Sequence, residues 1–309
     1  MIFQLVSGLA TGGTYAIFAI GYTLVFSILG IINFAHAAVF TIGAYLTYLL
    51  IGKGITSGVM KGTELPFEMS FIVAMLVSAF LAGLISVLID SIAFRPLRNR
   101  KADSLLALVT SLGMTIILVN GIQYLFGTDS YSFPAKVLGD MPPNVRFEIF
   151  DETVAIRTKT LVVMGVSVVI AVLLTLFITK TKTGRGLRAI SEDPTTASLM
   201  GINTNRLIMV AFFLSGFIAG LAGTLVAWNV SSGITDPYFG VKFGLKGLSV
   251  IVLGGLGNIP GAIIGGLVIG VAEAFAPSQY SDTVAFGILF VVLLVRPQGI
   301  LGQKVQQKV

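Results

Sequence analysis

The chain has 309 residues, of which 11% are charged and 55% are hydrophobic. A soluble domain carries roughly 25% charged residues, so this composition argues against a soluble protein, including an all-α one. The formal charge of +6 does not indicate nucleic-acid binding, because the cations lie beside apolar segments at loop ends. The sequence has no cysteine, which excludes disulfides, thiolate metal sites and a cysteine nucleophile.

Long apolar stretches predict a helical membrane protein. A span takes about 20 apolar residues, and the segment before Lys53, the first charged side chain, has room for two. This segment lacks the positive n-region of a signal peptide, so we do not expect its removal. We expect helices near 2–28, 31–51, 69–93, 104–126, 160–179, 207–228, 241–256, 260–275 and 283–296. The fold class is all-α: a polytopic helical membrane protein, one transmembrane domain over 1–309, with eight or nine transmembrane or half-spanning helices.

The distribution of charge between loops predicts the orientation of the chain. The loop 94–103, the loop 180–206 and the C-terminal tail hold twelve Lys and Arg residues against three acids. The opposite loops hold seven Lys and Arg residues against nine acids. Because cytoplasmic loops carry the excess of Lys and Arg, we expect the first group on the cytoplasmic side. The chain then enters from outside and ends inside.

The first break in the helical pattern is the sequence GIINFAH at 30–36, which follows the first span without a charged loop. Irregular backbone at membrane depth is tolerated only where protein buries it or where it lines a cavity. His36, the only histidine, is either satisfied by a neighbouring backbone carbonyl or acts in proton relay or ligand contact. For Asn33 the alternatives are a helix cap and a contact with transported ligand.

The loop 180–206 is a polar island between two apolar spans and carries the signals of one short helix, 194–200. Asp193 can cap its first N–H groups, and Pro194 suits the first position, where no donor is needed. Gly201 lies where a left-handed C-terminal stop is wanted. A short capped helix on the cytoplasmic face of a membrane protein indicates a surface on which another protein acts.

The second break is the sequence LGGLGNIPG at 253–261. Four glycines and a proline in nine residues predict a tight reversal between two half-spans. The residues of this reversal are Gly254, Gly255, Gly257, Asn258, Pro260 and Gly261. No strand precedes it, so it is not a dinucleotide fingerprint. Nearby, Gly216/Gly220 and Gly261/Gly265 have the small-xxx-small spacing of close helix packing, which we expect within one chain rather than between subunits.

Glu273 lies near the outer end of an apolar segment, where an unpaired carboxylate is costly. Lys246 lies in another apolar stretch and is a conceivable partner. We expect Glu273 to be structural, either by reaching water or by pairing with this lysine.

Several chemical motifs are absent from the sequence. There is no G-x-x-x-x-G-K-[ST] phosphate loop, so we do not expect this chain to hydrolyse ATP by that route. No H-E-x-x-H, paired acidic cluster or serine elbow supports an intramembrane enzyme. Regularly spaced arginines of a voltage sensor and a T-V-G-Y-G filter are also missing.

Five motifs resemble the LivH-type permeases of branched-chain amino acid ABC importers. In chain order they are GIINFAH at 30–36, GAY at 43–45, FRPLR at 94–98, TGRGLRA at 183–189 and LGGLGNIPGA at 253–262. The resemblance runs from residue 12 to residue 302. It departs at Ala37-Ala38, where the family pattern has Gly followed by a small or acidic residue.

The resemblance implies a non-enzymatic permease of the bacterial or archaeal cell (inner) membrane, surrounded by lipid and without a cofactor of its own. Its partners would be a LivM-like second permease, an extracytoplasmic amino-acid-binding protein and two ATPase subunits that hold ATP and Mg; no nucleic acid is expected. The coupling helix 194–200 would dock on an ATPase subunit. The residues expected in this coupling are Arg185, Arg188, Asp193, Pro194, Ser198, Met200 and Gly201. Asn33, Phe34 and His36 are expected in the translocation path.

Other functions stay open at this point. A self-sufficient secondary transporter or channel would need coupling-ion ligands in the membrane, and the available ones are Glu273, Lys246, Asp90 and His36. A membrane-anchored enzyme lacks a catalytic constellation. Among permeases, leucine, isoleucine and valine compete as substrates with urea, short amides and other amino acids. The permease pair can be a homodimer or a heterodimer.

Overall fold

A computed structural model describes residues 1–100, 102–134, 136–149 and 152–302. Lys101, Lys304 and Lys308, which contribute to the cytoplasmic charge count, lie outside these ranges. The α-helices are α1 Ile2–Leu29, α2 Ala35–Leu50, α3 Phe71–Ile89, α4 Arg95–Asn99, α5 Ser104–Phe126, α6 Thr158–Lys180, α7 Lys182–Glu192, α8 Pro194–Leu199, α9 Thr204–Asn229, α10 Phe239–Gly254, α11 Ile259–Phe275 and α12 Ser281–Val295. A π-helical segment, Asp90–Phe94, joins α3 to α4, and a 3-10 turn, Ser278–Tyr280, precedes α12.

All nine predicted membrane segments are helices, which confirms the fold class. Five of them, α1, α3 with its extension to Asn99, α5, α6 and α9, are long and apolar enough to cross a membrane. Helices α10 and α11 pass that test only together and are bent by 117°. Helix α2 has 16 residues and spans about 24 Å, and α12 has 15 and spans about 22 Å, so each is shorter than a hydrocarbon core of about 30 Å. The predicted total of eight or nine therefore includes segments too short to cross alone.

Helix α2 lies at the centre of the bundle. Ala38, Phe40, Ala44 and Tyr45 are fully buried, between α3, α5, α9 and α10, and the Phe40 ring lies 5.3 Å from the Phe18 ring of α1. A Cβ atom at Gly43 would overlap the backbone of Gly220 in α9, so this glycine permits the two helices to touch. Ala44 and Tyr45, which follow Gly43, are buried as well, so packing accounts for all three residues of the GAY motif.

The remaining small-residue pairs also act within the chain. Gly216 lies against Ala82 of α3, and Gly220 lies against Ala79 one turn away. Gly261 and Gly265 of α11 lie against the end of α10. The prediction that these glycines pack helices of one fold is confirmed.

The outer helices present apolar side chains to their surroundings. In α6, Val169 and Leu173 are more than half exposed, and α12 exposes Phe290 and Leu294 in the same way. Exposed apolar surface on membrane-spanning helices is the expected contact with lipid tails.

The predicted loop 127–159 contains an antiparallel hairpin that was not among the predicted elements. Strand β1, Asn144–Ile149, pairs with β2, Glu152–Arg157, and the register places Val145 opposite Ile156. The sequence NVRFEI of β1 alternates strictly between polar and apolar residues, which is the period-2 signal of a strand, so this signal was overlooked. The sequence ETVAIR of β2 does not alternate.

The prediction of one helix in the loop 180–206 was wrong, because α7 precedes α8. The Thr181 hydroxyl accepts a hydrogen bond from the Gly184 N–H at 3.0 Å and caps α7, while Leu187 and Ile190 are buried. A Cβ atom at Gly184 would overlap the carbonyl oxygens at the end of α6. Glycine disfavours a helix by about 1 kcal/mol, so the two glycines in TGRGLRA conceal this helix.

Candidate functional site

Several helix ends that the charge count predicts to be cytoplasmic surround a common cavity of about 630 Å³. Its walls are the C-terminal ends of α1 and α6, helix α7 and the turn between α10 and α11. Arg188 and Glu192 lie on the α7 wall, opposite Gly257. The cavity therefore brings the loop 180–206 next to the reversal at 253–261, both of which are predicted to be cytoplasmic.

Helix α8 has both of its predicted ends. The Asp193 carboxylate accepts a hydrogen bond from the Thr195 N–H at 2.8 Å, and Pro194 is the first helical residue. Gly201 has a φ of +83°, and the Ile202 N–H donates to the Ala197 carbonyl at 3.1 Å. These contacts satisfy terminal backbone groups at both ends, as the sequence predicted.

Helix α8 stands on the protein surface with little of itself buried. Of its six residues, Ala197 is buried. Ser198 is exposed, and the side chains of Leu199 and Met200 are 83% and 79% exposed. Two large apolar side chains are thus exposed side by side at the end of a helix in a polar segment. Leu199 was missed from the sequence; its position at the last turn of a capped helix was the available signal.

Arg185 and Arg188 lie on α7 rather than on α8. Both are exposed, and Arg188 donates from Nη2 to the Thr179 carbonyl at 3.4 Å. Helix α7 buries its apolar side beneath them and connects directly to α8 at Asp193. The predicted coupling residues thus lie on two consecutive helices, α7 and α8, and at the ends of α8.

The predicted glycine–proline reversal is present between α10 and α11. Gly255 and Gly257 have φ values of +105° and +82°, which L side chains rarely adopt. Asn258 accepts at Oδ1 from the Gly261 N–H and donates from Nδ2 to the Leu301 carbonyl, both at 2.9 Å. Pro260 lies in the first turn of α11, and the backbones of Gly254 and Gly261 touch.

The residues of the first break are enclosed within the chain. Asn33 lies two residues before α2 and accepts at Oδ1 from the N–H of Ala35, the first residue of that helix, at 3.1 Å, while Phe34 is half-buried. His36 is 2% exposed, with Nε2 3.3 Å from the Phe18 carbonyl oxygen. With Nε2 as the donor, Nδ1 accepts from the Ser215 hydroxyl at 3.1 Å. The cap and the carbonyl contact are the structural alternatives from the sequence; a part in translocation stays a prediction.

Glu273 belongs to a polar cluster formed by side chains of α1, α10, α11 and α12. Its Oε1 lies 3.1 Å from Lys246 Nζ, and its Oε2 accepts from the Tyr15 hydroxyl at 2.7 Å. Lys246 also pairs with Asp282 at 2.7 Å. The expected partnership with Lys246 is confirmed. The alternative, in which Glu273 reaches water, is wrong because its side chain is only 6% exposed.

Asp90 is the remaining acid of the apolar segments, and its side chain is fully buried. Its Oδ1 lies 3.1 Å from Arg98 Nη1, within the FRPLR motif. Each of the four possible coupling-ion ligands therefore has a partner in the chain. Among the described residues, no group of three or more His, Cys, Asp or Glu side chains could hold a metal ion.

Comparison with protein families identifies the chain. A family model described as a branched-chain amino acid transport system permease component matches residues 4–294. The chain belongs to this permease family. The LivH-type resemblance is thereby confirmed, and the permease is a multi-pass protein of the inner membrane. No solved structure matches it.

Curated relatives of the permease match along nearly its whole length. It is 38% identical to the high-affinity branched-chain amino acid transport system permease protein LivH of Escherichia coli (strain K12), over 99% of this chain and 97% of the relative. It is 37% identical to the corresponding protein BraD of Pseudomonas aeruginosa, with the same coverage. A probable LivH of Methanocaldococcus jannaschii is 27% identical over 92% of this chain and 87% of the relative.

Proposed function

We propose that this permease is a membrane subunit of an ATP-driven importer of branched-chain amino acids. Helix α8 carries the proposal, because its defined ends and exposed Leu199 and Met200 form a rigid surface for a partner on the cytoplasmic face. The substrate class is supported by relatives that are 37–38% identical and are named for transport of branched-chain amino acids.

In this mechanism, α8 docks on an ATPase subunit that binds ATP and Mg. Two such subunits, a LivM-like second permease and an extracytoplasmic amino-acid-binding protein complete the importer. ATP binding supplies the differential affinity for two conformations that any driven change requires, and α8 transmits that change. Helix α7, which carries Arg185 and Arg188, moves together with α8 because the two helices join at Asp193.

The break at Asn33, Phe34 and His36 contributes to the translocation path in this proposal. These residues are uncharged or neutral polar groups, so they can face a zwitterion without a fixed charge that would trap it. The family departure at Ala37-Ala38 adds two small apolar residues next to this segment. A branched aliphatic side chain fits apolar surroundings of this kind.

Crosslinking tests the docking of α8. The chain has no cysteine, so cysteines introduced at Ser198 or Met200 are unique. In the purified complex, both should crosslink to an ATPase subunit. Ser231→Cys, also exposed but on the predicted outer side, is the matched control and should react with a membrane-impermeant thiol reagent in intact cells. Free labelling of positions 198 and 200 from outside would contradict both topology and docking.

Reconstitution tests the substrate and the energy source. Vesicles that contain the complete complex should take up leucine, isoleucine or valine in an ATP-dependent manner, and urea or short amides should not compete. Uptake by the permease alone, driven by an ion gradient, would support the secondary-transporter alternative instead.

A further inference from the structure

Arg98 connects the cytoplasmic end of α3 to the start of α9. Its Nη1 lies 3.1 Å from Oδ1 of Asp90, the first residue of the π-helical segment, and its Nη2 donates to Oδ1 of Asn205 at 3.4 Å. Asn205 lies in the first turn of α9, just beyond the end of α8. One guanidinium thus bridges the first cytoplasmic loop and the segment that carries α8.

Arg98 contacts both Asp90 and Asn205 instead of forming the two-bond contact with Asp90 that would be strongest. A guanidinium that faces a carboxylate alone usually forms two parallel N–H···O bonds. Here Asp90 Oδ2 and Arg98 Nε are buried and make no hydrogen bond with the part of the chain that the structure describes. The second Nη group is turned toward Asn205 instead. Arg98 therefore makes one contact with the π-helical segment and one with α9, and it does not form a bidentate pair with Asp90.

The surroundings of the bridge are close-packed on the membrane side. The Phe94 ring lies 5.4 Å from the Phe212 ring of α9, and Gly216 brings α9 against α3 at Ala82. On the cytoplasmic side, a short connection leads from α8 to α9, where Asn203 accepts from the Arg206 N–H at 3.0 Å. Displacement of α8 therefore reaches the start of α9 first, at the level of Arg98.

We propose that Arg98 is a positioning residue of transport, which holds the start of α9 to the end of α3 so that both helices move with α8. This inference rests on the proposed docking of α8. Without the bridge, the start of α9 moves while α3 stays in place. ATP is then hydrolysed with less transport, although the complex still assembles.

The ratio of amino acid taken up to ATP hydrolysed, measured in vesicles with the complete complex, tests this role. The double variant Asp90→Asn/Arg98→Gln removes both charges and leaves no unpaired buried charge. We expect its ratio to fall about fivefold with ATP hydrolysis retained. Asn205→Ala should lower the ratio in the same direction, because it removes one end of the bridge. Arg95→Gln, an exposed arginine of the same short helix, is the control and should leave the ratio unchanged.

An unchanged ratio in the double variant would overturn the inference. If that variant does not assemble, Asn205→Ala decides by the same ratio, since Asn205 is exposed. Spin labels at Asn99 and Arg206 give a second readout: their separation should stay constant between nucleotide-free and ATP-bound unmodified complex and should broaden in Asn205→Ala. Failure of the proposed function has a different signature, because the unmodified complex would then show no ATP-dependent uptake.

Discussion

Lys246 and Glu273 form an ion pair across the two arms of the α10–α11 hairpin, with 3.1 Å between Nζ and Oε1. Tyr15 from α1 contacts both side chains, and Asp282 adds a second carboxylate to the lysine. Four helices thus meet at one polar cluster, although the chain reverses direction twice between α10 and α12.

Substitution within this pair should separate a structural role from a role in transport. We expect Glu273→Gln to leave transport near normal, because the amide oxygen still accepts from Tyr15 and Lys246 keeps Asp282. Lys246→Met should lower thermal stability more, because loss of one partner of a buried pair costs roughly 3–5 kcal/mol. Thermal midpoints in detergent and uptake in vesicles measure both effects. Abolished transport in well-assembled Glu273→Gln would contradict the structural role.

Gly201 should be less replaceable than Pro194. Because Gly201 has a φ of +83° and nothing lies near its missing Cβ, the effect of a side chain there is conformational rather than steric. Valine should cost roughly 1–2 kcal/mol of α8 stability, whereas Pro194→Ala loses only a favourable first turn. The measurement is ATPase activity stimulated by loaded binding protein. Gly201→Asn is the control, since asparagine tolerates φ > 0, and equal activity of Gly201→Val and Pro194→Ala would disprove a left-handed stop.

Asn33→Leu should lower uptake while assembly stays intact. The change removes the acceptor for the Ala35 N–H and an uncharged polar group from the proposed path. Asn33→Asp keeps the cap but adds a charge, so low uptake in this variant indicates a part in the path. Full recovery with aspartate would restrict Asn33 to capping, and normal uptake in Asn33→Leu would remove it from the path altogether.

Gly43→Ala should destabilise the centre of the bundle. The added methyl group overlaps the backbone of Gly220, and overpacking of this kind costs about 1–3 kcal/mol. Gly113→Ala in α5 is the matched control, because nothing lies within 4 Å of its Cβ position. Thermal midpoints of the two purified variants provide the comparison. A midpoint as low for Gly113→Ala would show that helix composition, rather than the α2–α9 contact, is responsible.

The membrane helices and the ends of α8 could be predicted because their signals are local. Apolar length marks a span, and Asp193, Pro194 and Gly201 each mark a helix end through their own backbone chemistry. The same logic located the reversal at 253–261. Helix α7 was missed because Gly184 is required by contact with the end of α6 and Gly186 lies against Leu207 of α9, and a local pattern contains neither contact.

Most contacts between residues far apart in the chain could not be predicted from the sequence. Arg98 and Asn205 are 107 positions apart, and only the packing of α3 on α9 brings them together. Asp90 lies shortly before the FRPLR motif at 94–98, but nothing in the sequence indicated that Arg98 of that motif is its partner. Lys246 and Glu273 were paired correctly because each was a rare charge in apolar surroundings, where an opposite charge is the natural partner.

The packing of α1 has a consequence for the synthesis of the protein. Gly8 and Gly12 of α1 lie against Gly270 and Gly266 of α11, and Tyr15 bonds Glu273 from 258 positions earlier in the chain. Helix α1 therefore receives its main partner, α11, only after α2 to α10 have been synthesised. Until then its glycine surface faces lipid or the insertion machinery, and a chain interrupted before α11 presents this uncovered surface to quality-control proteases.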